Sequence, residues 1–266
     1  MKLISEAWGS SDMLTILGPA KTIDLSPHGI TERHTFPQYL EQAGELVDRL
    51  RQYSHSELKS LMKVSDSLAT LTFERYAAWR SSYTAEEGQQ AILAFSGEVF
   101  NGLKARTLEE KDLLFAQEHV RILSGLYGVL KPLDLILPYR LEMGTKMELP
   151  GAVNLYDFWK GIIPDRIAED TGKQDEQILI NLASNEYFKS IRPGSFPFRI
   201  ITPVFKESTG SGYRNVTIYA KKARGMMLRF ILQNRINDPE YLKAFDREGY
   251  AFNPDLSDEN EWLFTR

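Results

Sequence analysis

The arrangement of this chain depends most on the stretch RILSGLYGVLKPLDL, which spans residues 121–135. An apolar run leads to the pair Ser124-Gly125, a second glycine follows at Gly128, and Pro132 is placed to open another turn. Two glycines three positions apart permit a tight turn whose exposed backbone N–H groups can bind phosphate without reading base sequence. The pattern therefore indicates a helix-hairpin-helix, and a glycine helix stop followed by an ordinary turn is the alternative.

On both sides of this stretch, the spacing of apolar residues predicts helices and strands that alternate irregularly along the chain. Helices are predicted for residues 37–51, 56–62, 65–80, 107–124, 155–170 and 221–236, and strands for residues 13–17, 90–95, 177–182, 198–206, 213–219 and 262–264. Ser54 and Glu57 form a capping-box pattern, and Pro164 predicts a kink or a split in its helix. We therefore expect an α+β fold class with a single mixed α/β domain, residues 13–266, after an N-terminal extension of residues 1–12.

Positive charge is concentrated in one part of an acidic chain. Residues 185–235 hold ten basic side chains against two acidic ones, a local balance of +8, whereas the whole chain has a formal net charge of −4. Because the Debye length is roughly 8 Å at physiological salt, a local patch can attract a polyanion whatever the total charge. The alternatives are a solvated basic face or salt bridges that support the core.

The composition excludes several classes of site. The chain has no cysteine, so it has no disulfide, no thiolate metal site and no cysteine nucleophile. Its four histidines lack the spacing of a zinc pair, so no metal site and no cofactor are expected, with an oxygen-ligand site built from carboxylates as the open alternative. No apolar run reaches the roughly 20 residues that span a bilayer, and the N-terminus does not resemble a secretory signal. We therefore expect a cytoplasmic protein.

Three further clusters can carry chemistry, and each has a plain structural alternative. Lys21 follows a strand and a Gly-Pro turn but lacks the glycine spacing of a P-loop, so it is either a phosphate ligand or part of a loop pair. Asn181, Glu186, Tyr187 and Lys189 lie at the carboxyl end of a predicted strand, where capping of a helix is the alternative. The predicted helix of residues 221–236 begins with basic residues, whose stems could instead pack on the core with their heads in water.

The segments GPAKTID, LSGLYGVLKPLDLILPYRLEMGTK, NLYDFWKGII, INLASNEYFKSI and YAKKARGMMLRFILQNRI resemble, in order and spacing, the peroxide-stress protein YaaA family. The resemblance covers residues 13–266. It implies a cytoplasmic bacterial protein of the hydrogen peroxide response, with members linked to DNA protection and to limiting free intracellular iron. It also implies a domain of family-specific fold with a positively charged cleft and a helix-hairpin-helix, similar to DNA-binding proteins of repair and recombination.

Carried onto this sequence, the resemblance predicts low-specificity binding of duplex or branched DNA and no catalytic residue. The common hairpin pattern has glycines one residue apart, whereas Gly125 and Gly128 are separated by two residues. The alternative function is an enzyme that acts on damaged nucleic acid or a nucleotide in the same cleft, using a lysine. The predicted DNA-contacting residues are Lys21, Gly125, Tyr127, Gly128, Lys131, Lys189, Lys221, Lys222, Arg224 and Arg229.

Overall fold

The computed structural model describes residues 13–27, 30–172, 177–210 and 212–266, and within these ranges the chain has a mixed α/β fold. The strands are β1 (Met13–Leu17), β2 (Thr22–Ile23), β3 (Gln89–Gln90), β4 (Phe95–Ser96), β5 (Val120–Ser124), β6 (Gly128–Leu130), β7 (Leu135–Ile136), β8 (Ile178–Asn181), β9 (Arg199–Thr209), β10 (Gly212–Arg214), β11 (Ala251–Phe252) and β12 (Glu261–Thr265). The α-helices are α1 (Leu40–Leu50), α2 (His55–Met62), α3 (Asp66–Ala78), α4 (Ala91–Ala94), α5 (Glu98–Leu103), α6 (Glu110–His119), α7 (Leu155–Phe158), α8 (Ile162–Thr171), α9 (Asn185–Phe188) and α10 (Thr217–Asn234). The predicted extension of residues 1–12 lies outside the described residues.

A mainly parallel sheet organises the fold. Its strand order is β11-β12-β9-β8-β1-β5-β6, with β10 paired to β9. The five inner strands run parallel, and β11 and β6 add antiparallel edges. All five residues of β1 are buried, which matches the continuous apolar runs that parallel strands need when both faces are covered. Helix α6 packs on β1 and β5, while α10 packs on β9 and α5.

Many of the elements predicted from periodicity are confirmed. The strands β1, β8 and β12 and the helices α1, α2 and α3 occur where the apolar pattern places them. The capping box is present, because Ser54 Oγ accepts from the Glu57 N–H and the Glu57 carboxylate accepts from the Ser54 N–H. The helix predicted around Pro164 is split into α7 and α8, and the β9–β10 hairpin is also confirmed.

Three predicted elements are wrong in whole or in part. Residues 91–94 form α4 between two short strands rather than one strand. The strand predicted for residues 213–219 ends at Arg214, and α10 begins at Thr217. The helix predicted to end at Ser124 stops at His119, because β5 pairs with β1. Arg121 tolerates this buried strand position because its Nε lies 2.6 Å from a carboxylate oxygen of Asp170 in α8.

The predicted helix-hairpin-helix is a β-hairpin buried in the core. Ser124 in β5 pairs with Gly128 in β6, and the turn between them is buried. The N–H groups of Leu126 and Tyr127 donate to Ser124 Oγ at 3.2 and 3.0 Å, so they do not face a ligand. Helical periodicity alone misassigned the segment, because partners far along the chain hold it as a strand and turn.

Two glycines let α5 and α10 touch backbone to backbone. A Cβ on Gly225 would lie 1.7 Å from the Val99 carbonyl oxygen, and a Cβ on Gly102 would lie 2.0 Å from the Lys222 carbonyl oxygen. Real Cβ atoms do not occupy such positions, so only glycine permits this crossing. The close approach explains why a glycine occurs at residue 225, inside a sequence that otherwise favours a helix. In an isolated helix, glycine is roughly 1 kcal/mol less favourable than alanine.

We predict that Gly225→Ala destabilises the protein although alanine has the higher helix propensity. The added methyl group forces α5 and α10 apart, and overpacking of this kind costs about 1–3 kcal/mol or more. The free energy of unfolding in urea measures the effect. Gly161→Ala is the matched control, because nothing lies within 4 Å of its Cβ position. Equal stability of Gly225→Ala and the wild type would contradict the close crossing.

His119 gives the fold a pH dependence. It is buried against Phe115, its Nδ1 has no hydrogen-bond partner within the described ranges, and burial lowers its pKa from 6.5 to about 4. A lowered folded-state pKa contributes stability above pH 6.5, and this contribution is lost as the pH falls toward 4. We therefore expect the free energy of unfolding of the wild type, measured in urea titrations, to fall relative to that of His119→Phe across that interval. A constant difference from pH 7 to pH 4 would show that His119 titrates normally.

Candidate functional site

A pocket of about 280 Å³ opens at the carboxyl ends of β1 and β8. The loop after β1 supplies Gly18 to Thr22, and the segment after β8 supplies Leu182, Ser184, Glu186 and Tyr187. The remaining wall residues come from three other segments: Ser96 to Phe100, Tyr139 to Glu142, and Lys221 with Arg224.

The pocket lies where the connections between the strands of the sheet change direction. The strands β1 and β8 are neighbours, but the chain leaves β1 toward β5 on one side and leaves β8 toward β9 on the other. The connections therefore diverge above the gap between β1 and β8. In open parallel sheets such a switch point leaves a crevice at the carboxyl ends of the strands, and ligands bind there.

Local pairings hold the walls of the pocket in place. The pairing of Thr22 with Ser96 fastens the loop after β1 to the segment that leads into α5. On the other side, Ser124 Oγ lies 2.7 Å from the Tyr139 hydroxyl, and a Cβ on Gly125 would lie 2.4 Å from the Leu141 carbonyl oxygen. The buried hairpin thus supports the wall of residues 139–142 rather than contacting a ligand itself.

One carboxylate of the pocket is shared between two cations. Lys21 Nζ lies 2.7 Å from Glu142 Oε2, and an Nη atom of Arg140 lies 3.4 Å from Glu142 Oε1. The Arg140 side chain is only 15% exposed, and its Nε is buried without a hydrogen-bond partner in the described part of the chain. Buried donors are normally satisfied, so this N–H is an unusual feature of the pocket wall.

Two further cations have no carboxylate partner within the described ranges. Lys221 is exposed at the rim, while Arg224, one helical turn further along α10, is partly buried. Burial lowers the pKa of the Arg224 guanidinium, with neither a hydrogen bond nor a carboxylate opposing this effect. An uncompensated buried charge is costly, and an anion entering the pocket would remove that cost.

The carboxylates of Glu98 and Glu186 also line the pocket, so its charge is mixed rather than uniformly positive. Glu186 Oε1 accepts from the Gly144 N–H at 2.8 Å, and Glu98 Oε1 accepts from the Asn101 side-chain amide at 3.4 Å. Tyr187 is buried in the wall, and burial raises its pKa well above 10. Its hydroxyl therefore stays neutral at physiological pH.

The structure brings together only some of the side chains predicted to bind DNA. Lys21, Lys221 and Arg224 line the pocket, and Lys189 is exposed outside its lining. Lys131 is partly buried just beyond the hairpin. Asn181, another polar residue singled out at the strand end, is buried and donates to Thr202 at 3.3 Å.

The remaining residues predicted to contact DNA are buried in the hairpin or bonded to other parts of the protein. Gly125, Tyr127 and Gly128 are buried in the hairpin, so the prediction that their backbone is exposed to phosphate is wrong. Lys222 forms an ion pair with Glu248. Arg229 donates to the carbonyl oxygens of Leu103 and Lys104 at the end of α5, at 2.9 and 3.1 Å.

Sequence reasoning singled out Glu186 but missed Glu98, Glu142 and the contribution of α5 to the pocket. Nothing near Glu142 marks it as a partner of Lys21, because 121 positions separate the two residues in the sequence. The only available signal for α5 was Gly225, whose unfavourable helix propensity indicated a close approach by another backbone.

Neither a metal centre nor a membrane span is found in the described part of the chain. Residues 13–27, 30–172, 177–210 and 212–266 contain no group of three or more His, Cys, Asp or Glu side chains placed to hold a metal ion. Among the same residues, no helix has both the length and the apolar character needed to cross a membrane.

Comparison with known proteins gives the family. The family model described as "Peroxide stress protein YaaA" matches residues 13–256. The chain belongs to the peroxide stress protein YaaA family. Similar proteins in this family include a UPF0246 protein of Ralstonia nicotianae, 46% identical over 254 residues, and a UPF0246 protein of Ralstonia pickettii, 47% identical over 254 residues. Each alignment covers 96% of this chain and 99% of the relative.

We predict that Arg224→Met leaves the stability of the protein unchanged or raises it. Methionine keeps an apolar stem of similar length and removes a guanidinium that has no partner, so its burial costs less. A thermal melt should show an unchanged Tm or an increase of about 2 °C. A Tm lowered by about 4 °C or more would show that Arg224 has a structural partner in the folded protein.

Proposed function

We propose that this member of the peroxide stress family binds DNA through its phosphates, with little preference for base sequence, at the pocket and the basic rim beside it. The observation that carries the proposal is the pair Lys221 and Arg224 on the first turns of α10. Both side chains lack a carboxylate partner among the described residues, and both line a pocket at the switch point of the sheet.

The segment that leads into this pair has a surface typical of nucleic-acid binding. From Gly212 to Arg224 the chain carries basic side chains and no acidic one. Tyr213, next to the exposed cation Arg214, and Tyr219 are 45% and 46% exposed, and the Arg266 guanidinium lies 5.1 Å from the centre of the Tyr219 ring. Aromatic rings offer stacking surfaces that accept any base, and cations between them bind the backbone. This combination supports contact with DNA near a strand end or an opened region.

The proposal replaces the helix-hairpin-helix with α10 and the β9–β10 hairpin as the contacting elements. It also leaves out Lys222 and Arg229, because Glu248 and the end of α5 already engage them. Protection of DNA during peroxide stress would then follow from occupancy of the DNA backbone. Limiting free iron through a metal site of this chain gains no support from the described side chains.

The alternative function, an enzyme with a lysine nucleophile, is less well supported by the geometry. Lys21 lines the pocket from the loop after β1, and its ammonium lies 2.7 Å from Glu142. An ammonium in an ion pair has no lone pair with which to attack, so the contact favours electrostatic binding over covalent catalysis. Lys221 lies at the exposed rim, where water stabilises its charge.

DNA binding should weaken steeply as salt is added. Each neutralised phosphate contributes about −0.9 to the slope of log K against log salt for a duplex. Lys221→Glu should lower the affinity for all sequences roughly threefold to tenfold and make the slope shallower by about 1. Fluorescence anisotropy with a labelled duplex, titrated at several salt concentrations, measures both quantities.

Lys63→Glu is the matched control, because it changes the net charge equally at the end of α2, outside the pocket lining. It should leave affinity and slope close to those of the wild type. Equal weakening by both variants would show that binding depends on net charge alone. Absence of binding to any duplex at low salt would remove the proposal.

A further inference from the structure

The pocket is too small for a double helix but has the size of one nucleotide. Its volume of about 280 Å³ lies just below the range of about 300–1,000 Å³ that is common for small-molecule sites. A duplex can only lie across its opening. What enters must be a compact group, either a free small molecule or the terminal unit of a strand.

The lining of the pocket holds four cations and three carboxylates, a net charge of +1 that favours an anion. Lys21 and Arg140 already share the Glu142 carboxylate, which leaves Lys221 and Arg224 as the two cations without a partner in the described chain. A phosphomonoester offers three terminal oxygens, whereas a phosphodiester offers two. The guanidinium of Arg224 suits bidentate contact with phosphate oxygens, and one oxygen then remains for Lys221. The two cations without a partner therefore suit one phosphomonoester.

The rest of the wall suits the organic part of such a ligand. Val99, Phe100, Leu182 and Tyr187 form an apolar side on which a base or sugar ring can pack. Glu186 and Glu98 provide carboxylate oxygens that can accept from sugar hydroxyls. A few convergent polar groups on an apolar wall are characteristic of small-ligand sites.

We propose that the switch-point pocket binds the phosphomonoester of a single nucleotide, with Arg224 and Lys221 holding the phosphate and the apolar wall holding the nucleoside. The inference deepens the proposed function and rests on it for placing phosphate in this pocket. Two sources share this chemistry: a free nucleoside monophosphate and the 5′-phosphorylated end of a DNA strand. Recognition of the second kind would direct the protein to strand breaks.

Isothermal titration calorimetry with small probes tests the pocket itself. Deoxyadenosine 5′-monophosphate should bind at least about tenfold more tightly than deoxyadenosine, because only the monophosphate engages Arg224. Inorganic phosphate should compete with it. Arg224→Met should reduce the affinity for the monophosphate at least about tenfold. Lys63→Gln, which removes one charge outside the pocket lining, should bind like the wild type.

The thermal melt of each variant shows that a loss of binding is not a loss of fold. A second variant, Val99→Trp, fills the apolar side while keeping every cation of the pocket. It should also reduce monophosphate binding, whereas a ligand held by surface charge alone would be unaffected. Equal monophosphate affinity of Arg224→Met and the wild type would place the binding elsewhere and overturn the inference.

DNA probes separate the two sources and separate this inference from the proposed function. A 5′-phosphorylated linear duplex, the same duplex with 5′-hydroxyl ends, and a covalently closed circle are compared as competitors. Preference for phosphorylated ends identifies strand ends as the source. Monophosphate binding without such a preference identifies a free nucleotide. Binding of the closed circle without any monophosphate binding overturns the inference and leaves the proposed function standing. If neither the circle nor the monophosphate binds, both fail.

Discussion

The contact between α5 and α10 at Gly102 and Gly225 is the constraint on which the site depends. With no side chain between them, the two backbones meet directly, and this sets where the first turns of α10 stand relative to Val99. Arg224 precedes Gly225 by one residue, so the crossing carries its guanidinium to the pocket. Both glycines lower the helix propensity of their segments, and the close crossing requires them. A wider crossing would move α10, and Arg224 with it, away from the loops after β1 and β8.

The buried hairpin of β5 and β6 plays a matching role on the other side. Gly125 allows the segment of residues 139–142 to approach closely, and Ser124 fixes Tyr139 by a hydrogen bond. The buried Trp159 packs against the hairpin, and its Nε1 donates to the Gly125 carbonyl oxygen at 3.0 Å. The stretch with the clearest motif in the sequence thus acts on the site indirectly. It positions Arg140 and Glu142, while Lys221 and Arg224 come from α10.

Local patterns in the sequence predicted local structure well. The apolar runs of β1 and β8, the periodicity of α1 and the capping box of α2 each depend on residues close together in the chain. Long-range partners were beyond such reasoning. Arg121 sits in a buried strand only because Asp170 of α8 meets it, and the glycines of residues 125 and 128 face Leu141 and Trp159 rather than solvent. For the site, sequence charge indicated Lys21, Lys221 and Arg224 but did not reveal that Lys222 and Arg229 are already engaged.

The central claim is that Arg224 is held without a partner so that it can receive phosphate. The Hε–Nε signals of the arginine side chains, followed by NMR while deoxyadenosine 5′-monophosphate is added, test this directly. The Arg224 signal should shift and exchange its proton more slowly with water as the site fills. An Arg224 signal that stays unchanged at saturation, while other arginines respond, would contradict the account.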